Sequence, residues 1–111
     1  MKEARQKLLF LCSRNRWRSP TAQRLFAKSE RFEARSAGLA SSAVHRLSQA
    51  DIAWADVIFV MEPEHRRKLM QSFRNELADR PVHVLDIPDD YGFMDPELVE
   101  LIHDGVAACL D

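Results

Sequence analysis

The chain has 111 residues, 46% of them hydrophobic and 30% charged, with a formal net charge of -1 at pH 7. This size and balance predict one soluble domain over residues 1–111 and exclude a disordered tail, a fibrous repeat and binding of nucleic acid or anionic membrane through overall charge. No apolar run approaches the ~20 residues of a membrane span. The opening "MKEARQKLLFLCSRN" has a short apolar run with no small-residue cleavage site and arginines straight after it, which argues against a signal peptide. The expected location is the cytoplasm.

In chain order, Lys7 to Leu11, continuously apolar from Leu8, is suited to a strand buried on both faces. From Pro20, the residues Ala22, Leu25 and Phe26 fall at helical spacing, and Ser19 is placed as N-cap with Pro20 at the first helical position. "RFEARSAG" alternates as a short strand ending at Gly38. "LSQADIAWA" has the Ser48…Asp51 spacing of a capping box and predicts a short helix. Asp56 to Met61 reads as another buried strand, followed by a helix opening near Pro63 with a Leu69, Phe73, Leu77 stripe. "VHVLDI" is the fourth strand, and a last helix from about Pro96 has the apolar face Leu98, Leu101, Ile102 and Val106. Strict β-α alternation predicts a flavodoxin-like three-layer α/β domain. Its four-stranded parallel sheet has order 2-1-3-4 with helices on both faces. Trp54 and Cys109 are assigned to the core.

Ligands of such sheets sit outside the carboxyl ends of the strands, and Cys12 stands at the end of the first. The following helix offers free N–H groups and a partial positive charge there. Arg18 has the planar fork that grips two oxygens of a phosphoryl group. Helix dipole and guanidinium both favour thiolate at Cys12, and a thiolate under a phosphate is a nucleophile aimed at phosphorus. The Ser19 hydroxyl is placed to donate to that sulfur. The competing reading of Cys12 is a small core residue at a strand end. The only other cysteine is Cys109, and His45, His65, His83 and His103 are scattered, so neither a disulfide framework, a metal site nor a cofactor is expected.

The stretch Cys12-Ser-Arg-Asn-Arg-Trp-Arg18-Ser19-Pro20, between a strand and a helix, resembles the active-site loop of the low-molecular-weight protein tyrosine phosphatases. Asn15 matches the family's loop asparagine. "SAG" from Ser36 to Gly38, "DIAWADVIFVME" and "IPDDYG" are similar to later segments and come in the family's order. The resemblance implies that Cys12 attacks phosphorus to give a phosphocysteine. Arg18 and the loop, Ser13 to Ser19, would hold the phosphoryl oxygens, and an aspartic acid would protonate the leaving oxygen. Aligned on Tyr91, that acid falls on Asp89, with Asp90 as alternative and Asp86 as third choice. Asp89 and Asp90 equally suit a simple turn before Tyr91-Gly92.

The chain departs from the family in several places. Arg14 stands where the family has glycine, so any left-handed residue between Cys12 and Ser19 falls to Asn15. Arg14 and Arg16 add charge at the rim, either as solvated loop residues or for a more anionic substrate. Trp17 is a plug, a stacking platform or a partner contact. The chain is short for the family, lacking between Gly38 and Ser48 most of the segment that walls the family's cleft. The expected activity is hydrolysis of phosphotyrosine or another aryl phosphomonoester, with a phosphorylated protein or small aryl phosphate as partner. Two alternatives remain, a non-catalytic module that grips a phosphoprotein, nucleotide or RNA end, and an arsenate reductase, for which only Cys109 is left as a second thiol.

Overall fold

Seven residues, Gln6–Cys12, form β1, and the apolar run within it is buried on both sides. A computed structural model describes residues 5–110, so the first four residues of the N-terminal stretch lie outside it. After β1 come α1 (Arg18–Phe26), β2 (Phe32–Gly38), α2 (Gln49–Trp54), β3 (Val57–Val60), α3 (Pro63–Leu77), β4 (Val82–Val84) and α4 (Pro96–Leu110). The strands make one parallel sheet in the order β2-β1-β3-β4.

Alternation along the two central strands divides the core into two layers. Leu8, Phe10 and Cys12 of β1, with Val57 and Phe59 of β3, face Ala22 and Phe26 of α1 and Leu98, Ile102 and Val106 of α4. Leu9 and Leu11, with Ile58 and Val60, face Ile52 of α2 and Leu69 and Leu77 of α3. Phe10 stacks between Phe26 and Phe59, with ring centroids 5.7 and 5.2 Å away. This is the three-layer arrangement expected, with α1 and α4 on one face and α2 and α3 on the other.

Register aligns the carboxyl ends of the strands. Cys12 pairs with Gly38 and Leu11 with Val60. The chain leaves β1 for β2 on one side and returns to β3 on the other, so Cys12 sits at the crevice where the winding reverses.

Four expectations need correction. α1 begins at Arg18 with Trp17 as cap residue, so Ser19 is inside the helix and its hydroxyl is turned to Cys12 instead of capping. β4 is only three residues long. The ladder beyond it continues as Leu85 N–H to Val60 and Ile87 N–H to Met61, but Asp86 between them is left-handed at φ 58°, which breaks the strand. Phe73 leaves helical geometry (φ -131°, ψ 28°), kinking α3 in the middle of its apolar stripe and leaving Phe73 half-buried. Leu101 is 37% exposed, outside the buried line Leu98, Ile102, Val106. Trp54 and Cys109 are partly buried against the core. Among the described residues no helix is long and apolar enough to cross a membrane.

Candidate active site

The site grows from the ends of all four strands. Between β1 and α1 the backbone turns through Asn15, whose φ is 55°, the left-handed value that asparagine tolerates best among non-glycine residues. The Asn15 side chain is buried and donates from Nδ2 to Ser19 Oγ and Ser36 Oγ, both at 2.9 Å. Ser36 Oγ in turn donates to Gln23. Ser19 Oγ lies 3.0 Å from Cys12 Sγ. Asn15 and Ser19 thus stand behind the loop and shape it, while the residues flanking Asn15 turn outward.

The loop is hung from the segment after β2. The carbonyls of Cys12, Ser13 and Arg14 accept from the N–H groups of Leu39, Ala40 and Val44 at 2.8–3.0 Å. Among the described residues, no N–H from Ser13 to Trp17 is engaged by a protein acceptor. The loop carbonyls are taken up by protein donors, and its N–H groups are left without a protein acceptor. Free N–H groups beside a helix N-terminus without a side-chain cap suit an anion. The short connection from Gly38 to Ser48 therefore holds the loop.

Arg18 is 2% exposed, and its charge is satisfied from beyond β3 and β4. Nη1 donates to Glu62 Oε2 at 2.6 Å, just past β3, and to the Ile87 carbonyl at 2.7 Å, beyond β4. Nε faces Asp89 Oδ1 at 3.6 Å, a looser contact with a carboxylate that is 63% exposed. With Nη1 committed, the Nε–Nη2 edge is the part of the fork still available for a bidentate grip.

His65 completes the support. It is buried, its Nδ1 accepts the Glu62 N–H at 3.1 Å, and its Nε2 meets Ser13 Oγ at 3.0 Å. Because Nδ1 accepts, the neutral ring carries its proton on Nε2 and donates it to Ser13. Burial first, and the Arg18 charge second, hold His65 below its ordinary value of 6.5, against the pull of Glu62.

The resulting cavity of about 490 Å³ is lined by Cys12, Ser13, Arg14, Arg16, Trp17, Arg18 and Asp89. Seven of the sequence-derived positions thus meet at one mouth, with Asn15 and Ser19 behind it. Asp90 and Asp86 do not line it. Trp17 is 42% exposed, with the Arg16 guanidinium 5.2 Å from its ring centroid. Sequence reasoning missed Glu62, His65, Ser36 and the Ile87 carbonyl. A signal existed for the first two, since they directly follow the third strand just as Cys12 ends the first.

No family model and no curated protein matches the chain. Solved structures do. The chain is similar to the YwlE arginine phosphatase from Geobacillus stearothermophilus, at 23% identity over 95% of this chain and 92% of that one, with TM-score 0.73. Vibrio vulnificus Wzb in complex with benzylphosphonate is 24% identical over 96% and 97%, with TM-score 0.74. SP-PTP, a low-molecular-weight protein tyrosine phosphatase from Streptococcus pyogenes, is 16% identical over 95% and 91%, with TM-score 0.76. The chain has the fold of the low-molecular-weight protein tyrosine phosphatases.

Two outcomes test this construction. A Cβ at Gly38 would stand 2.5 Å from Ala43 Cβ, 2.7 Å from the Ser13 carbonyl oxygen and 3.0 Å from Asn15 N, so the loop and its support must separate. Gly38→Ala is expected to destabilise the fold by roughly 1–3 kcal/mol in urea titration and to weaken phosphate binding measured by calorimetry. His65 binds its proton less readily folded than unfolded, so its share of stability is present above about pH 6.5 and is lost as pH falls below it. The melting temperature should drop between pH 7.5 and 5, and drop less over that interval in His65→Gln.

Proposed function

We propose that the chain is a cysteine-dependent phosphatase that hydrolyses phosphotyrosine or another aryl phosphomonoester through a phosphocysteine. One observation carries the reading. Cys12 and the free edge of a buried, pinned arginine share a cavity whose only lining carboxylate is Asp89.

The phosphoryl group enters with its equatorial oxygens on the Arg18 Nε–Nη2 edge and the loop N–H groups. Its arrival displaces Asp89 from Nε, freeing that carboxyl group to face the leaving oxygen. The Cys12 thiolate attacks phosphorus, forming S–P as the P–O bond to the aryl group breaks, and Asp89 gives its proton to the departing oxygen. Ser19, 3.0 Å from Sγ, donates to the sulfur. In the second step Asp89 takes a proton from water, the water oxygen attacks phosphorus, and the P–S bond breaks to restore the thiolate and release inorganic phosphate. The preorganised donors act where charge develops, and the loop supplies the positive charge. The cytoplasm suits an enzyme that depends on a reduced thiol.

The alternatives gain less support. Cys109 lies in the last turn of α4, where the adjacent Leu110 lines a cleft with Phe32 at the amino end of β2. A thiol there is at the wrong end of the sheet to resolve an arsenate adduct on Cys12. A module that only grips phosphate makes no use of a carboxylate beside the arginine.

Hydrolysis of p-nitrophenyl phosphate between pH 4 and 8 with EDTA present is expected for the wild type and absent in Cys12→Ser. Silence in both would overturn the reading. Asp89→Asn should lose roughly a hundredfold or more on phenyl phosphate, whose leaving group needs a proton, and clearly less on the nitrophenyl ester. Equal losses on the two substrates would make Asp89 structural.

A further inference from the structure

The mouth contains more positive charge than the grip on one phosphoryl group requires. Arg18 is balanced by Glu62 at 2.6 Å and Asp89 at 3.6 Å. Arg14 and Arg16 also line the cavity, both exposed, and among the described residues neither takes part in an ion pair. Their direction follows from the backbone. With Asn15 left-handed and its side chain buried, the residues on either side project away from the core. Each is also held. The Arg14 carbonyl is bonded by the Val44 N–H, and the Arg16 guanidinium lies over the exposed Trp17 ring. No residue from 39 to 47 lines the cavity, so whatever follows the phosphoryl group meets guanidinium groups and an aromatic face.

We propose that Arg14 and Arg16 form a second anion subsite at the rim, which selects phosphotyrosine peptides carrying acidic residues beside the phosphotyrosine. This subsite rests on the phosphatase reading for its neighbour, the phosphoryl pocket. Charges interact over ~8 Å at physiological salt, so a carboxylate one residue away from the phosphotyrosine need only come within that distance of the rim. Two exposed pairs of this kind are each worth roughly threefold in affinity, or about tenfold together. A phosphoarginine peptide has the opposite character, because its leaving group becomes a guanidinium cation in a mouth already crowded with them.

The experiment compares kcat/KM for phosphotyrosine peptides flanked by glutamate, glutamine or lysine, with p-nitrophenyl phosphate as the reference substrate. At 50 mM salt the glutamate peptide should exceed the glutamine peptide about tenfold, with the lysine and phosphoarginine peptides lowest. The ratio should shrink to within twofold at 500 mM salt, and likewise in the Arg14→Gln/Arg16→Gln double variant. Ratios within each protein cancel any effect of the substitutions on the shared phosphoryl step, and the salt series needs no variant. Hydrolysis of the reference substrate with equal rates on all peptides overturns the subsite and leaves the phosphatase reading standing. If nothing is hydrolysed, that reading fails, and anisotropy of the same labelled peptides on Cys12→Ser decides the subsite by itself. Tighter binding of the glutamate peptide upholds it. Equal dissociation constants, or tighter binding of a 5′-phosphorylated oligonucleotide or the phosphoarginine peptide, overturn it.

Discussion

A guanidinium group buried to 2% exposure cannot stand alone, and the site is organised around the way this one is satisfied. Arg18 comes from the first turn of α1, whereas its fixed partners, Glu62 and the Ile87 carbonyl, come from beyond β3 and β4. Those two contacts hold the helix start, the loop and the far half of the sheet in one arrangement. They also consume Nη1 and so decide which edge of the fork faces the cavity. Asp89 sits on that edge at 3.6 Å, exposed and loosely held, which suits the displacement we propose for it.

The loop itself is held from three sides. Its carbonyls hang on the segment from Leu39 to Val44, its left-handed residue is tied down by Ser19 and Ser36, and its first side chain, Ser13, accepts a hydrogen bond from a buried histidine. A shared geometry follows from shared partners: Glu62 supports Arg18 with its carboxylate and His65 with its N–H. A disturbance at either residue therefore reaches both the arginine and the loop.

Much of the architecture could be read from local pattern, because local pattern was its cause. The apolar run of β1 announced a central strand, and Ser48 with Asp51 announced the start of α2, where the capping box is present. The absence of glycine from the loop points to Asn15 as its left-handed residue, and its φ agrees. Serine before proline satisfies two helix-start rules at once and so suggests a cap at Ser19, whereas Cys12 and Asn15 have the stronger claim on its hydroxyl. The break in the α3 stripe at Phe73 and the early end of β4 at Asp86 depend on backbone angles that periodicity does not encode. Glu62 and His65 lie 44 and 52 residues from the groups they serve, and only the sheet order brings them together.

The eight residues from Cys12 to Ser19 include no glycine, and this affects the unfolded chain as much as the folded one. Glycine would widen the range of backbone states that the loop must give up on ordering, by an amount worth about 0.4–1 kcal/mol at a compatible position. Arg14 and Arg16 sit outside the left-handed region and so avoid that loss, leaving Asn15 as the single residue held there. For the loop that we propose as the anion cradle, the entropy of ordering then falls on folding instead of on each encounter with a ligand.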